Sequence, residues 1–282
     1  NKLMRNLKNK KVLVTGGARG IGQQIALEFA QQGSDIIICD LDKSFFDEDH
    51  FKSNVKDILN LGVSCNGYVL DVTKYDDILQ TREKILSDIG KIDILINNAG
   101  VVFGGKFLDI SISQHRLTYD VNTQGIVNML HIFLQDLIDR PQSHIVNIAS
   151  ASGFTALPGG TTYASSKAAV SSFSESLRLE LKKDGNTHVG ITIVSPAYVN
   201  TGMFDGVKEP TFIPMLTTKK LATKVVKAVR KNKLFVLEPA FIKFIPLMKA
   251  TFPRFLYDFL GNILGGYHSM DFWKGHSKDK RN

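Results

Sequence analysis

Residues 11–22 read Lys11-Val12-Leu13-Val14-Thr15-Gly16-Gly17-Ala18-Arg19-Gly20-Ile21-Gly22, a short apolar run that passes directly into a glycine-rich turn. An amphipathic stretch follows near 20–32. The order strand, glycine turn, helix presents free backbone N–H groups and the positive end of a helix dipole to one point in space, which suits a pyrophosphate. Gly16, Gly20 and Gly22 let the backbone approach such a group closely, with Arg19 and Ile21 in the same turn. The spacing is G-x-x-x-G-x-G, not the commoner G-x-G-x-x-G.

Working outward, strand-like runs fall near 11–15, 35–40, 65–70, 92–96, 143–149, 189–195 and 233–237. Helical stretches fall near 20–32, 51–61, 74–89, 112–138, 161–184 and 218–231. Runs such as Ile36-Ile37-Ile38 are continuous rather than alternating, as buried parallel strands are. Regular alternation with right-handed crossovers predicts an α/β, Rossmann-like, doubly wound parallel sheet of about seven strands in a single domain. Residues 8–238 are assigned to a dinucleotide-binding and catalytic domain, and 239–282 to an extension that is apolar and then basic.

Asp40 closes the second strand. A carboxylate there accepts from adenosine ribose hydroxyls and repels a 2′-phosphate. Asp42 adds to that repulsion, whereas Arg19 could pair with the phosphate. The balance favours NAD, with NADP as the alternative cofactor.

Tyr163 and Lys167 are four apart in a helical stretch and share one face. A free phenol titrates near ~10, and a neighbouring ammonium is expected to lower that value and let Tyr163 exchange a proton with an alcohol or carbonyl. Ser150 ends the apolar run 144–149, at the carboxyl edge of a strand where open α/β sheets bind ligands. Its hydroxyl could bind the substrate oxygen, with Ser152 as its rival. Asn122 is a poor helix former inside a helical stretch; it could bond a backbone carbonyl and hold a water leading protons from Lys167 to solvent.

With these residues assembled, the chain resembles the short-chain dehydrogenase/reductase family over about residues 8–238. The matching pieces are the glycine turn, Asp71-Val72, Asn97-Asn98-Ala99-Gly100, Asn122, Ser150, Tyr163, Lys167 and the segment from Pro196 to Thr201. The resemblance implies a catalytic tetrad of Asn122, Ser150, Tyr163 and Lys167. It implies that Lys167 also binds the nicotinamide ribose, that Asp71 and Val72 contact the adenine, and that Asn98, Ala99 and Gly100 line the cofactor. Val199 and Thr201 would bind on the nicotinamide side. Ala197 departs from the glycine usual after the proline, which could shift that loop slightly. The run Val199-Asn200-Thr201-Gly202-Met203-Phe204 looks like the membrane-associated branch acting on retinoids, hydroxysteroids and other lipid alcohols. The family also implies a homodimer or homotetramer paired through helices corresponding to 112–138 and 161–184.

The net charge is +8. The basic residues cluster at the ends: Lys2, Arg5, Lys8, Lys10 and Lys11, then Lys274, Lys278, Lys280 and Arg281 beside Asp279. They form no helix face or aromatic stripe, so no nucleic-acid partner is expected. Cys39 and Cys65 read as buried thiols, and no metal site is expected. The basic start has no apolar run and cleavage site of a signal peptide behind it, so a cytoplasmic location is expected, with peripheral membrane association left open.

Residues 200–217 read as a mobile cover over the substrate, with Met203, Phe204, Phe212, Ile213 and Met215 suited to an apolar ligand. From Phe235 to Trp273 the chain is dense in aromatics but interrupted by charge and by Pro246 and Pro253. It falls short of the ~20 consecutive apolar residues of a spanning helix. It either packs across the subunit and walls the substrate pocket or lies in a membrane interface. The expected activity is NAD(P)-dependent hydride transfer to or from a hydrophobic alcohol or carbonyl. The alternatives are an acyl-thioester or ketoacyl reductase and a non-catalytic dinucleotide-binding scaffold.

Overall fold

In the computed structural model, residues 4–204, 206–207 and 215–275 are described. Phe212 and Ile213 of the expected cover, and Lys2, Lys278, Asp279, Lys280 and Arg281 of the basic termini, lie outside the described residues.

Seven strands form one all-parallel sheet: β1 (Lys11–Thr15), β2 (Asp35–Asp40), β3 (Cys65–Val69), β4 (Ile94–Asn97), β5 (Ser143–Ile148), β6 (Val189–Pro196) and β7 (Phe235–Glu238). Their spatial order is β3-β2-β1-β4-β5-β6-β7. The direction of winding therefore reverses between β1 and β4, where open α/β sheets form their ligand crevice. The in-register pairs Val12↔Ile94 and Val14↔Ile96 fix that junction.

Each strand feeds two cores because successive side chains point to opposite faces. In β2, Ile36 and Ile38 enter one core, while Ile37 and Cys39 enter the other. Helices α1 (Gly20–Ala30) and α8 (Thr218–Arg230) cover the first face. Helices α4 (Tyr75–Asp88), α6 (Gly125–Ile138) and α7 (Thr161–Lys183) cover the second. Fully burying such an Ile or Leu contributes about 1.5–3 kcal/mol. Cys39 is buried, Cys65 is only half-buried, and both are free thiols.

Two expectations are corrected. The helix expected near 51–61 is two short ones, α2 (Glu48–Asn54) and α3 (Lys56–Leu59). The helix expected at 112–138 is divided into α5 (Ile112–Tyr119) and α6 by a π-helical turn at Asp120–Gln124. The wider turn arises where Asn122 spends its side chain on other partners, described below. Part of the basic N-terminus is also tied into the fold. Lys10 lies 3.2 Å from Asp93, which Arg140 also holds at 2.8 Å, and the Lys11 ammonium donates to the carbonyl of Ile89.

After β7, helices α9 (Ile245–Thr251) and α10 (Arg254–Ile263) fold back over the carboxyl edge of the sheet. No helix among the described residues is long and apolar enough to cross a membrane.

Candidate active site

The glycine turn runs from β1 into α1, and three of its glycines are constrained. Gly16 and Gly20 have φ of +61° and +60°, a region that L side chains rarely adopt. A Cβ on Gly22 would lie 2.2 Å from the Gly16 carbonyl oxygen. The turn is held from the next strand, where the Asn98 side chain donates to the carbonyls of Thr15 (3.0 Å) and Gly16 (2.9 Å). The Thr15 hydroxyl accepts from the N–H groups of Asn98 and Ala99. Asp40 accepts from the N–H of Ala18 at 3.1 Å and of Asp42 at 3.1 Å, so the carboxylate closes the turn from the end of β2. Arg19 is exposed at the mouth of the same turn. This cradle, tight against its own backbone and open at a helix N-terminus, fits a dinucleotide diphosphate.

Along the same edge, the Asp71 carboxylate accepts from the Thr73 N–H and hydroxyl (3.0 and 2.7 Å), shaping the turn after β3, with Val72 buried beside it. Thr201 lies across the crevice, its side chain 3.4 Å from where a Cβ on Gly20 would be. Val199 is less accessible than its expected role suggests: it is buried in the first core and pairs with Leu216.

The four expected catalytic residues converge. Asn122 accepts from the Val101 N–H (2.8 Å) and donates to the Val101 carbonyl (2.9 Å) and the Ser166 hydroxyl (3.0 Å). The Ser166 hydroxyl in turn donates to the Tyr163 carbonyl. Asn122 thereby ties the turn after β4 to the helix bearing Tyr163. A Cβ on Gly100 would sit 3.3 Å from the Asn122 Oδ1 and 3.5 Å from the Lys167 Nζ, so Gly100 leaves room between them. Lys167 is buried, donates to the Ile148 carbonyl at 2.8 Å, and lies 5.9 Å from the centre of the Tyr163 ring.

Ser150 and Ser152 are partners rather than rivals. The Ser152 hydroxyl and N–H both point to the Ser150 oxygen, at 3.0 and 3.2 Å, and the Ser150 hydroxyl stands close enough to the Tyr163 phenol to favour its phenolate. The expectation of a lowered phenol pKa is corrected. Burial pushes Tyr163 up to about 12, and the neighbouring Ser150 hydroxyl only partly offsets this. Burial likewise brings Lys167 down to about 8. Desolvation disfavours both charged forms and at this separation outweighs their mutual attraction.

Ser150 and Tyr163 stand at one end of a cavity with an empty volume of about 1040 Å³ counted out to its open mouth. Its body is largely apolar, and the tail supplies one side: Ile242, Ile245 and Met248, then Leu260 and Leu264. Gly261 lines it too, because a Cβ there would lie 2.6 Å from the Tyr267 ring. Three features escape sequence reading. Phe204 meets the rings of Tyr163 and Tyr198 edge-on at 5.8 and 5.3 Å. Met270 is buried in a cluster with Val102, Leu157 and Tyr163. Trp273 donates to the Met203 carbonyl at 3.1 Å and packs on Gly104. The density of aromatics is the only sequence signal for these contacts.

The model of the short chain dehydrogenase family matches residues 10–211. Epidermal retinol dehydrogenase 2 of Mus musculus is 29% identical over 280 residues, covering 99% of this chain and 89% of its own length. The 17-beta-hydroxysteroid dehydrogenase 13 of Homo sapiens is 30% identical over 241 residues, covering 84% and 78%. A short chain dehydrogenase/reductase from Burkholderia phymatum, solved in complex with NAD, matches with a TM-score of 0.78 at 25% identity over 88% of this chain and 95% of that one. A sheet of matching topology, a glycine cradle at its crevice and a family model spanning most of the chain agree: the protein belongs to the short-chain dehydrogenase family, in its retinol and hydroxysteroid dehydrogenase-like branch.

Proposed function

We propose that this NAD(P)-dependent oxidoreductase exchanges hydride with the carbinol or carbonyl carbon of a bulky apolar substrate, retinoid- or steroid-like in size, and that Tyr163 exchanges the accompanying proton. The observation that carries this reading is the side-by-side placement of Ser150 and Tyr163 in the lining of a largely apolar cavity. Gly16, Arg19, Gly20, Ile21, Gly22, Asp40, Asp71, Val72, Asn98, Ala99, Gly100, Tyr163, Lys167, Val199 and Thr201 would hold the dinucleotide. The nicotinamide, when bound, accepts or supplies the hydride.

Ser150 binds the substrate oxygen through its hydroxyl, and Ser152 orients Ser150. In reduction, the neutral phenol of Tyr163 gives its proton to that oxygen; in oxidation, the phenolate takes it. Lys167 supplies the positive charge beside the ring, and Asn122 holds the helix of Tyr163 against the turn after β4. Asp40 at the end of β2, with Asp42 beyond it, favours NAD over NADP.

The tail supports a bilayer contact. Phe255, Phe259 and Ile263 recur every four residues on α10 and are exposed, on a helix that also brings Tyr257 and Leu260 to the pocket. Lys243 and Lys249 lie nearby in sequence. The aromatic stripe would enter the interface with these cations at headgroup level. Flotation with anionic vesicles should carry the protein up, and Phe255→Ser with Phe259→Ser should abolish this; equal flotation of both would remove the contact. A homodimer or homotetramer through α5 and α7 is supported by exposed Ile112, Leu117 and Leu179, and sedimentation velocity tests it.

The activity is tested by screening long-chain alcohols, steroids and retinoids for NAD and NADP reduction at 340 nm, about where reduced nicotinamide absorbs. Turnover of the apolar alcohols is expected. Turnover of small polar alcohols only would contradict the reading.

A further inference from the structure

The pocket hydroxyls can be followed one by one. Tyr198 donates to the Ser269 oxygen at 2.6 Å, and Ser269 donates to the Gly266 carbonyl. Tyr267 donates to Asp258 at 3.0 Å. Ser152 donates to Ser150, which stands beside Tyr163 at the reacting end. One pair remains: the hydroxyls of Thr155 and Tyr257 lie 2.7 Å apart, and both residues line the cavity.

Two hydroxyls facing each other carry two hydrogens, and their mutual bond uses one. Neither hydroxyl forms another hydrogen bond among the described residues. A spare donor is thus left at a cavity whose lining also includes Ile242, Ile245, Met248 and Leu260. An unused donor facing an apolar ligand costs free energy, whereas one facing an oxygen is satisfied. Tyr257 comes from α10 and Thr155 from the loop that also carries Ser150, so the pair stands where tail and catalytic loop meet.

We propose that the Thr155–Tyr257 pair is a specificity site that binds a second oxygen of the substrate, apart from the oxygen held by Ser150. The preferred substrate is then an apolar alcohol or ketone bearing a second hydroxyl, carbonyl or ether, rather than a hydrocarbon with one polar end. This rests on the function proposed above and narrows it. The gain is of the kind a polar pocket group gives over an analogue lacking its partner.

The test compares 1-alkanols from decanol to hexadecanol with the matching α,ω-diols. The wild type, Tyr257→Phe and Thr155→Val are measured for kcat/KM, and for ligand binding by quenching of the fluorescence of Trp273, the single tryptophan. At one chain length the wild type should favour the diol about tenfold, the worth of one good neutral hydrogen bond. Tyr257→Phe should remove that preference in both measurements. A diol-to-alkanol ratio unchanged by Tyr257→Phe and by Thr155→Val would overturn the proposal, as would an equal loss on both substrates, which marks the pair as a latch between tail and loop. The two readings fail separately: a diol preference in binding without hydride transfer sinks the proposed function and leaves the specificity site standing.

Discussion

The side-chain amide of Asn98 reaches back from the end of β4 to the carbonyl of Gly16 at 2.9 Å, so the glycine turn is held in shape by the neighbouring strand. The same nitrogen also serves the Thr15 carbonyl. Asn98→Ala should therefore loosen the turn without touching the proton-transfer residues. Cofactor affinity is expected to fall about tenfold to a hundredfold, for the loss of about 1–3 kcal/mol of partly buried hydrogen bonding. Calorimetric titration with NAD measures it. Unaltered affinity would show that the turn keeps its shape alone.

Gly22→Ala should be more severe, since the new methyl meets a backbone oxygen at 2.2 Å rather than a movable side chain. The turn must open, and cofactor binding should be lost or weakened beyond the effect of Asn98→Ala. The same titration decides the order of the two variants.

The turn and the sheet are legible in the sequence because their signals are local. Val12 to Val14 and Ile36 to Ile38 are continuous apolar runs, and glycines at 16, 20 and 22 mark one turn. Tyr163 and Lys167 are also readable, since four residues on a helix share a face. The pKa of Tyr163 is not readable, because it depends on the burial that Met270 and Phe204 bring from distant segments, beside Leu157 from the preceding loop. The π-helical turn at Asn122 depends on Val101 and Ser166, which come close only once the sheet has formed. Nor does anything near Thr155 announce Tyr257, which is 102 residues away.

His144 offers a stability test remote from the catalytic groups. It is fully buried in β5, and burial brings it down to about 3 from an ordinary value of 6.5. Its Nε2 meets the Thr192 hydroxyl, which itself donates to the Lys233 carbonyl. Above pH 6.5 the ring is neutral in both folded and unfolded chains and has no effect on the slope. Between 6.5 and about 3 only the unfolded chain takes the proton, so stability falls as pH falls. The slope is about 1.4 kcal/mol per pH unit from this group. Urea melts from pH 7 downward should be flatter for His144→Gln than for the wild type, once each is referred to its own value at pH 7.

The rate profile follows from the phenol. With Tyr163 raised to about 12, its neutral form dominates at neutral pH and is the form needed to protonate a carbonyl. Oxidation needs the phenolate, so its kcat/KM should climb as pH rises from neutrality toward about 8, above which Lys167 loses the charge beside the ring, while reduction stays level over that same range. Initial rates in both directions across that range provide the check. Oxidation that slows as pH rises from neutrality to about 8 would exclude a phenolic base.

The most direct test of the central claim is single-turnover hydride transfer by Tyr163→Phe, with cofactor binding measured on the same sample. The ring and its packing against Met270 survive this change, and only the hydroxyl beside Ser150 is removed. Transfer should slow by about a hundredfold to ten-thousandfold with NAD affinity kept. A variant that binds NAD normally and transfers hydride near the wild-type rate would contradict the assignment of Tyr163 as the proton-transfer residue.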